Sequence, residues 1–124
     1  MSYLVIGAGP AGLAAIRSFK DAGLTVEAAE RNADVGGQWL YGAQSSAVYA
    51  STHLISSKFT TAFADFPMPD DWPAYPSRKQ IEQYFKDFAK HFDLYPLIRF
   101  NDGVAKLERN GERWHATFNQ GETR

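Results

Sequence analysis

The chain has 124 residues, of which 44% are hydrophobic and 15% aromatic, and this is enough apolar material for one packed domain. Its 13 basic and 14 acidic residues leave a net charge of -1 without any basic run, so the electrostatic footprint of a nucleic-acid binder is missing. The absence of cysteine excludes disulfides and thiolate chemistry, and it fits a reducing compartment.

The first thirty residues alternate between extended and helical patterns. Three glycines and a proline interrupt residues 7–12, so the N-terminal segment is neither a signal peptide nor a membrane span, and we expect a cytoplasmic protein. The apolar residues 3–7 predict a strand buried in a parallel sheet. Small or apolar residues at helical spacing predict a helix over residues 11–22, which Gly23 would end. Residues 24–30 return to extended character and complete a strand-helix-strand unit.

Residues 40–76 are irregular and rich in Ser, Thr, Pro and aromatic side chains. The aromatic content is too high for a disordered linker, so we expect an ordered insertion that packs on the core. We expect four of its aromatic side chains to be core or domain-interface residues and not a substrate cage, namely Phe63, Phe66, Trp72 and Tyr75.

The remaining elements are a helix, a strand and a hairpin. Ser77 and Gln80 have the spacing of a capping box, and the residues that follow predict a helix over 77–93 with one apolar stripe. Residues 97–100 predict a third strand. The alternating pattern around Asn110-Gly111 predicts an antiparallel hairpin.

Gly7, Gly9 and Gly12 form the pattern G-x-G-x-x-G between the first strand and the first helix. The first glycine permits a tight turn, the second lets the backbone approach a pyrophosphate, and the third lets helix and strand pack closely. The phosphates would then lie at the positive helix N-terminus. A tight turn that binds no ligand is the alternative.

Glu30 lies eighteen residues beyond Gly12, at the end of the second predicted strand. An acidic residue there accepts hydrogen bonds from ribose hydroxyls and repels a 2'-phosphate. The pattern therefore favours FAD or NAD over NADP. The alternative is a solvated glutamate at a strand end.

Together these elements predict the α/β class and a Rossmann-like FAD/NAD(P)-binding fold. It has three layers, a parallel sheet with helices, an ordered insertion and an antiparallel hairpin near the C-terminus. We expect a single dinucleotide-binding domain over residues 1–124. It divides into the strand-helix-strand unit with a second glycine turn at 1–39, the insertion at 40–76, the helix at 77–93, and the strand and hairpin at 97–124.

A second glycine pair lies in the segment "ERNADVGGQW", residues 30–39. The string E-R-x-x-x-x-G-G-x-W of flavoproteins with two dinucleotide-binding domains is matched at Glu30, Arg31, Gly36, Gly37 and Trp39. The form GGQW, followed by "FADFPMP" at 63–69, the helical segment 75–94 and "IRF" at 98–100, resembles the flavin-containing monooxygenases, especially bacterial ones. The resemblance covers residues 4–104, and it implies that residues 1–124 form a single partial FAD-binding domain.

This resemblance implies an NADPH-dependent flavin monooxygenase. In that family NADPH reduces FAD, and the reduced flavin reacts with dioxygen to give a C4a-hydroperoxide that oxygenates a small molecule at an amine nitrogen or a sulfide sulfur. The scheme needs no acid-base side chain, so we assign no catalytic residue. The resemblance assigns cofactor binding to Gly7, Gly9, Pro10, Ala11, Gly12, Glu30, Arg31, Gly37, Gln38, Trp39, Ser56 and Val104.

Two features depart from the family pattern. Ile55 stands where many members have an asparagine that helps to position the flavin peroxide and the nicotinamide. Either Ser56 or backbone groups replace that hydrogen bond, or the peroxide is stabilised differently. The sequence also lacks the NADPH-binding domain, so we expect an N-terminal piece of a larger enzyme or a truncated gene product, with the NADPH site outside this chain. A sheet with an uncovered edge is open to aggregation or to pairing in a homodimer.

Two other functions stay open at this point. One is another NAD(P)H:flavin oxidoreductase that does not oxygenate a substrate, and the other is a non-catalytic FAD-binding fragment. His53, His91 and His115 lack metal-ligand spacing, so we expect structural roles for them and no metal site. We expect no nucleic-acid or membrane partner.

Overall fold

The structure is a computed structural model that describes residues 1–120, and residues 121–124 of the predicted C-terminal segment lie outside the described residues. A three-stranded parallel sheet forms the centre of the fold, with the strand order β1-β2-β3. Strand β1 spans Ser2–Ile6, β2 spans Thr25–Ala29 and β3 spans Ile98–Arg99. This sheet with its flanking helices confirms the predicted α/β class.

Helix α1, Pro10–Asp21, connects β1 to β2 and begins one residue before its predicted start. Proline suits the first helical position because its φ is already helical and its missing N–H has no partner there in any case. The buried side chains of the helix, Leu13 and Ile16, belong to the main core. Gly23 follows the helix with a φ of 73°, as the C-terminal glycine predicts.

The insertion is less irregular than predicted, because it contains the one-turn helix α2, Lys58–Thr61. The Ser57 hydroxyl caps this helix by accepting the Thr60 amide. Lys58 is buried, and its ammonium group donates to three backbone carbonyls at 2.7–3.1 Å, those of Pro69, Asp70 and Trp72. A single helical turn is too short to produce a periodic pattern, so the sequence did not reveal it.

The aromatic residues of the insertion are partly packed and partly exposed. Phe63, Phe66 and Trp72 pack against the main core, as expected. Tyr75 is 54% exposed, so it is not a core residue. Pro76 beside it is fully buried.

Helix α3, Arg78–His91, begins with the predicted capping box. The Ser77 hydroxyl oxygen accepts the Gln80 amide at 3.3 Å, and the Gln80 side-chain oxygen accepts the Ser77 amide at 2.9 Å. The buried residues of the helix are Ile81, Tyr84, Phe85, Phe88 and Ala89. These side chains belong to the main core, which also contains buried residues of all three strands.

The strand after α3 is shorter than predicted, because a 3-10 turn, Tyr95–Leu97, precedes β3. The predicted hairpin is present, with β4 at Val104–Asn110 and β5 at Arg113–Phe118. Gly111, with a φ of 65°, takes the first position of the two-residue loop, which suits a glycine.

The two faces of the sheet are covered by different elements. Helices α1 and α3 and the insertion build the main core on one face, while Ala116 and Phe118 of the hairpin pack with Ala29 in a smaller cluster on the other. In the described residues β1 pairs only with β2, and Ile6 at its end is 55% exposed. Residues 1–120 contain no helix with the length and apolar content needed to cross a bilayer.

Candidate cofactor site

The first glycine turn joins β1 to α1. Gly7 has a φ of 99°, a conformation that residues with a Cβ atom rarely adopt. A Cβ atom on Gly12 would lie 2.0 Å from the Gly7 carbonyl oxygen, so strand and helix meet at a distance that only glycine permits. Gly9 directly precedes the helix in an extended conformation. Gly7 and Gly12 therefore have separate structural reasons for glycine, whereas the backbone of Gly9 would accept a side chain with ordinary contacts.

The start of α1 fits an anionic group. The first amides of a helix have no acceptor within the helix, and they carry the positive end of its dipole. Here Gly9 provides no side-chain cap, and the first turn, which includes Pro10, Ala11 and Gly12, contains no acidic residue. In the described part of the chain this end is therefore left for an external acceptor, as binding of a pyrophosphate requires.

The second glycine turn lies directly against the first. The Gly36 amide donates to the Ala8 carbonyl at 3.0 Å, and Gly36 and Gly37 have φ values of 121° and 57°. A Cβ atom on Gly37 would lie 3.0 Å from the Gly9 Cα atom and 3.6 Å from Pro10 Cδ. Any side chain at Gly37 would therefore push the two turns apart. A 3-10 turn, Gly37–Trp39, follows.

Glu30 connects the end of β2 to the first glycine turn. Its side chain is 4% exposed, and its Oε2 atom accepts the Ala8 amide at 2.7 Å. Its Oε1 atom accepts the Asn32 amide at 2.9 Å. Each carboxylate oxygen can accept a second hydrogen bond, so the group is fixed in place and still has capacity for ribose hydroxyls.

The loop between β3 and β4 completes this side of the site. The Asp102 amide donates to the Glu30 carbonyl at 3.1 Å. A Cβ atom on Gly103 would lie 2.9 Å from the Arg31 Cβ atom, so the loop touches the exposed Arg31 closely. Val104 follows as the first residue of β4. The structure thus brings Glu30, Arg31 and Val104 to one edge of the sheet.

Asp102 is a buried acid in this loop that the sequence analysis missed. It is 3% exposed, its Oδ1 atom accepts the Gln120 amide at 2.9 Å, and its Oδ2 atom lies 2.5 Å from Arg99 Nε. The contact with Arg99 is an ion pair whose geometry does not make a hydrogen bond. The turn-forming triplet Asn101-Asp102-Gly103, with Asn101 at a φ of 57°, was the available signal.

Two predicted site residues direct their polar groups elsewhere. The Gln38 side-chain oxygen accepts the Ala47 amide at 2.8 Å, which shapes the neighbouring loop. The Ser56 hydroxyl pairs with Thr61 Oγ1 at 2.6 Å, and within residues 1–120 no hydrogen bond joins it to either glycine turn. Trp39 packs partly buried against the main core.

The remaining polar candidates do not form a second centre. His53 contacts the Ser51 carbonyl through Nδ1 at 2.8 Å, and His91 packs against Phe66 and Phe92. The described residues contain no group of three or more His, Asp or Glu side chains that could hold a metal ion. The glycine turns therefore remain the candidate site.

A family model described as FMO-like, flavin-binding monooxygenase-like, matches residues 2–120. The chain belongs to this family. Mouse dimethylaniline monooxygenase (N-oxide-forming) 2 is 36% identical over 110 residues, which cover 86% of this chain and 21% of that protein. Rat flavin-containing monooxygenase 3 is 38% identical over 109 residues, which cover 85% of this chain and 20% of that protein.

Solved structures of monooxygenases have the same fold over this chain. A structure of oxidized steroid monooxygenase bound to NADP matches with a TM-score of 0.85 and 30% identity, over 98% of this chain and 24% of that one. A flavin-containing monooxygenase from Stenotrophomonas maltophilia matches with a TM-score of 0.83 and 25% identity, over 97% of this chain and 34% of that one. The chain spans about a fifth of the length of the curated family members that it matches.

Proposed function

We propose that this chain is the FAD-binding part of an NADPH-dependent monooxygenase, which oxygenates small molecules at an amine nitrogen or a sulfide sulfur with dioxygen as co-substrate. The observation that carries the proposal is the backbone contact between two glycine turns beside the uncapped start of α1. An NAD-binding domain needs only one glycine turn. In the flavin-containing monooxygenase family, a second glycine turn at this position approaches the FAD.

The proposed roles follow from the contacts of each residue. The pyrophosphate would bind the amides at the start of α1, close to Gly9. Glu30 would accept hydrogen bonds from the ribose with the capacity that the Ala8 and Asn32 amides leave free. Roles for Arg31, Gln38, Trp39, Ser56 and the backbone of Val104 rest on the family resemblance.

The bound FAD would supply the chemistry of dioxygen activation, and the residues of this chain would bind and orient it. Glu30 disfavours a 2'-phosphate, so the NADPH site is expected outside this chain. The relatives named N-oxide-forming support nitrogen oxygenation, and the NADP in the steroid monooxygenase structure supports NADPH as the reductant. Ile55 is 96% exposed, and its side chain has no hydrogen-bond donor. Any hydrogen bond to the reacting end of the flavin must therefore come from backbone groups or from other side chains.

The first test is an FAD titration of the 124-residue chain, followed by flavin fluorescence and by the visible absorption bands. We expect saturable binding, which Glu30→Gln weakens by about tenfold through the loss of charge-assisted hydrogen bonds. Glu112→Gln is the matched control, because Glu112 is exposed in the hairpin loop. A folded chain that binds no FAD, or equal binding by both variants, would contradict the proposal.

A second test concerns the reaction. A longer version of the protein that contains an NADPH domain should consume oxygen in step with formation of an oxygenated amine or sulfide. Oxygen consumption that yields only hydrogen peroxide, or NADPH oxidation without oxygen uptake, would instead indicate a flavin oxidoreductase of another type.

A further inference from the structure

The second glycine turn is attached at both ends to one face of α3. The Asp34 Oδ2 atom lies 3.6 Å from Lys86 Nζ, at the start of the turn. The Tyr41 amide donates to Glu82 Oε1 at 2.8 Å, just after the turn. Glu82 and Lys86 are one helical turn apart and form an ion pair at 3.7 Å. One pair of side chains on α3 therefore contacts both ends of the segment 34–41.

Asp34 has two further contacts that fix its position. The Tyr95 hydroxyl donates to Asp34 Oδ1 at 2.7 Å, and the Val35 amide donates to the same oxygen at 2.7 Å. Burial, together with the neighbouring Asp34 carboxylate, raises the pKa of Tyr95 above its ordinary value. Val35 itself is fully buried in the main core. Both oxygens of the Asp34 carboxylate thus contact groups that hold the start of the turn.

These contacts matter because the turn is intrinsically costly to order. Gly36 and Gly37 both have positive φ, and a glycine pair loses more backbone freedom on folding than any other pair. The side chains of Asp34, Glu82 and Lys86 are only 33%, 19% and 25% exposed, so solvent screens their interactions less than those of surface pairs.

We propose that Asp34, Glu82 and Lys86 form a positioning clamp that holds the Gly36–Gly37 turn against Gly9. The clamp residues do not touch the cofactor in this scheme. They act through the backbone of the turn, which the clamp keeps in the conformation that receives FAD. The part of the inference that concerns FAD rests on the proposed function, whereas the part that concerns the turn does not.

The test uses two readouts on the full 124-residue chain. Amide hydrogen exchange of residues 35–41, measured without FAD, reports on the turn alone, and the FAD dissociation constant reports on its consequence. Lys86→Met removes the charge and keeps the aliphatic stem, and Lys79→Met is the matched control on an exposed part of the same helix. We expect Lys86→Met to speed amide exchange in residues 35–41 about fivefold and to raise the FAD dissociation constant about fivefold. Both factors correspond to the loss of about 1 kcal/mol of interaction energy between Lys86 and its two carboxylate partners.

A rescue series separates positioning from general loss of stability. Glu82→Gln keeps the acceptor for the Tyr41 amide, so it should speed exchange less than Glu82→Ala. Lys86→Arg should restore both readouts toward those of the unmodified chain. If Glu82→Ala does not fold, Lys86→Met and Lys86→Arg decide the question by themselves.

The outcomes distinguish the clamp from the proposed function. If Lys86→Met matches Lys79→Met in exchange and in FAD affinity, the clamp is refuted. If exchange rises only in residues 35–41 and the unmodified chain binds no FAD, the clamp holds and the FAD proposal fails. If FAD binds and Lys86→Met speeds exchange without changing its affinity, the role of the clamp in receiving FAD is refuted.

Discussion

Gly12 and Gly9 belong to the same motif, yet the structure predicts opposite consequences when each is replaced by alanine. A Cβ atom on Gly12 would lie 2.0 Å from the Gly7 oxygen and 2.8 Å from the Gly7 carbonyl carbon. Both contacts are with backbone, so the turn would have to move by about 1 Å to relieve them. A Cβ atom on Gly9 would have an ordinary contact, 3.5 Å from Gly37 Cα.

The magnitudes follow from these distances. Overpacking against backbone costs about 3 kcal/mol or more, and the better helix propensity of alanine returns about 1 kcal/mol, so Gly12→Ala should lose about 2 kcal/mol. For a domain of this size that corresponds to a fall of about 8 °C in Tm. Gly9→Ala, in an extended conformation without a clash, should cost about 0.5 kcal/mol or less. Its methyl group should instead weaken FAD binding by about tenfold or more, because it occupies the space that the pyrophosphate needs.

Thermal unfolding by circular dichroism and FAD titration at a temperature where both variants are folded would measure the two effects. The expected result is a crossed pattern: Gly12→Ala is the less stable variant, and Gly9→Ala is the stable variant with the weaker affinity. Equal stability of the two variants would refute the argument from close packing. A stable Gly9→Ala chain with unchanged FAD affinity would refute the location of the pyrophosphate.

Three further predictions concern the supports of the site. The Arg17 guanidinium lowers the pKa of the Asp65 carboxyl by hydrogen bonding, so Asp65→Asn should be destabilised at pH 7. In urea titrations the difference should begin to shrink near the ordinary pKa of 3.8, where the unfolded chain takes up the proton, and it should be lost as the pH falls through the lowered pKa of the folded chain. Tyr84→Phe leaves the Phe63 amide and the Phe66 carbonyl without their partner, so the free energy of unfolding in urea should fall by about 2 kcal/mol. Ser77→Ala removes the helix cap, and the same measurement should show a loss of about 1 kcal/mol.

Short sequence patterns predicted the turns and helix ends that are determined by residues close together in the sequence. The glycine spacing, the capping box at Ser77 and the Asn110-Gly111 hairpin all depend on residues within a few positions of each other, and all three are present in the structure. The contact between the two glycine turns could be anticipated only through the family resemblance, since no local pattern relates Gly9 to Gly37.

The side chains that support the site could not be predicted, because their partners are distant in sequence. Asp34 and Tyr95 are 61 positions apart, and nothing in the alternation of polar and apolar residues pairs them. The Lys58 ammonium donates all three of its hydrogen bonds to backbone carbonyls. Every residue has a backbone carbonyl, so the sequence does not indicate which residues are its partners. The short α2 was missed because a single helical turn is too short to produce a periodic pattern.

The carboxylates around the site share one feature that explains how it can be ordered before a cofactor arrives. Glu30 accepts two backbone amides, Asp34 accepts an amide and a phenol, and Asp102 accepts an amide and pairs with Arg99. Each acid therefore stabilises a bend in the backbone. None of them lies in the first turn of α1, where a negative side chain would compete with an anionic ligand for the same amides. The distribution of acidic residues thus orders both glycine turns and leaves the positive helix end free, as a pyrophosphate site requires.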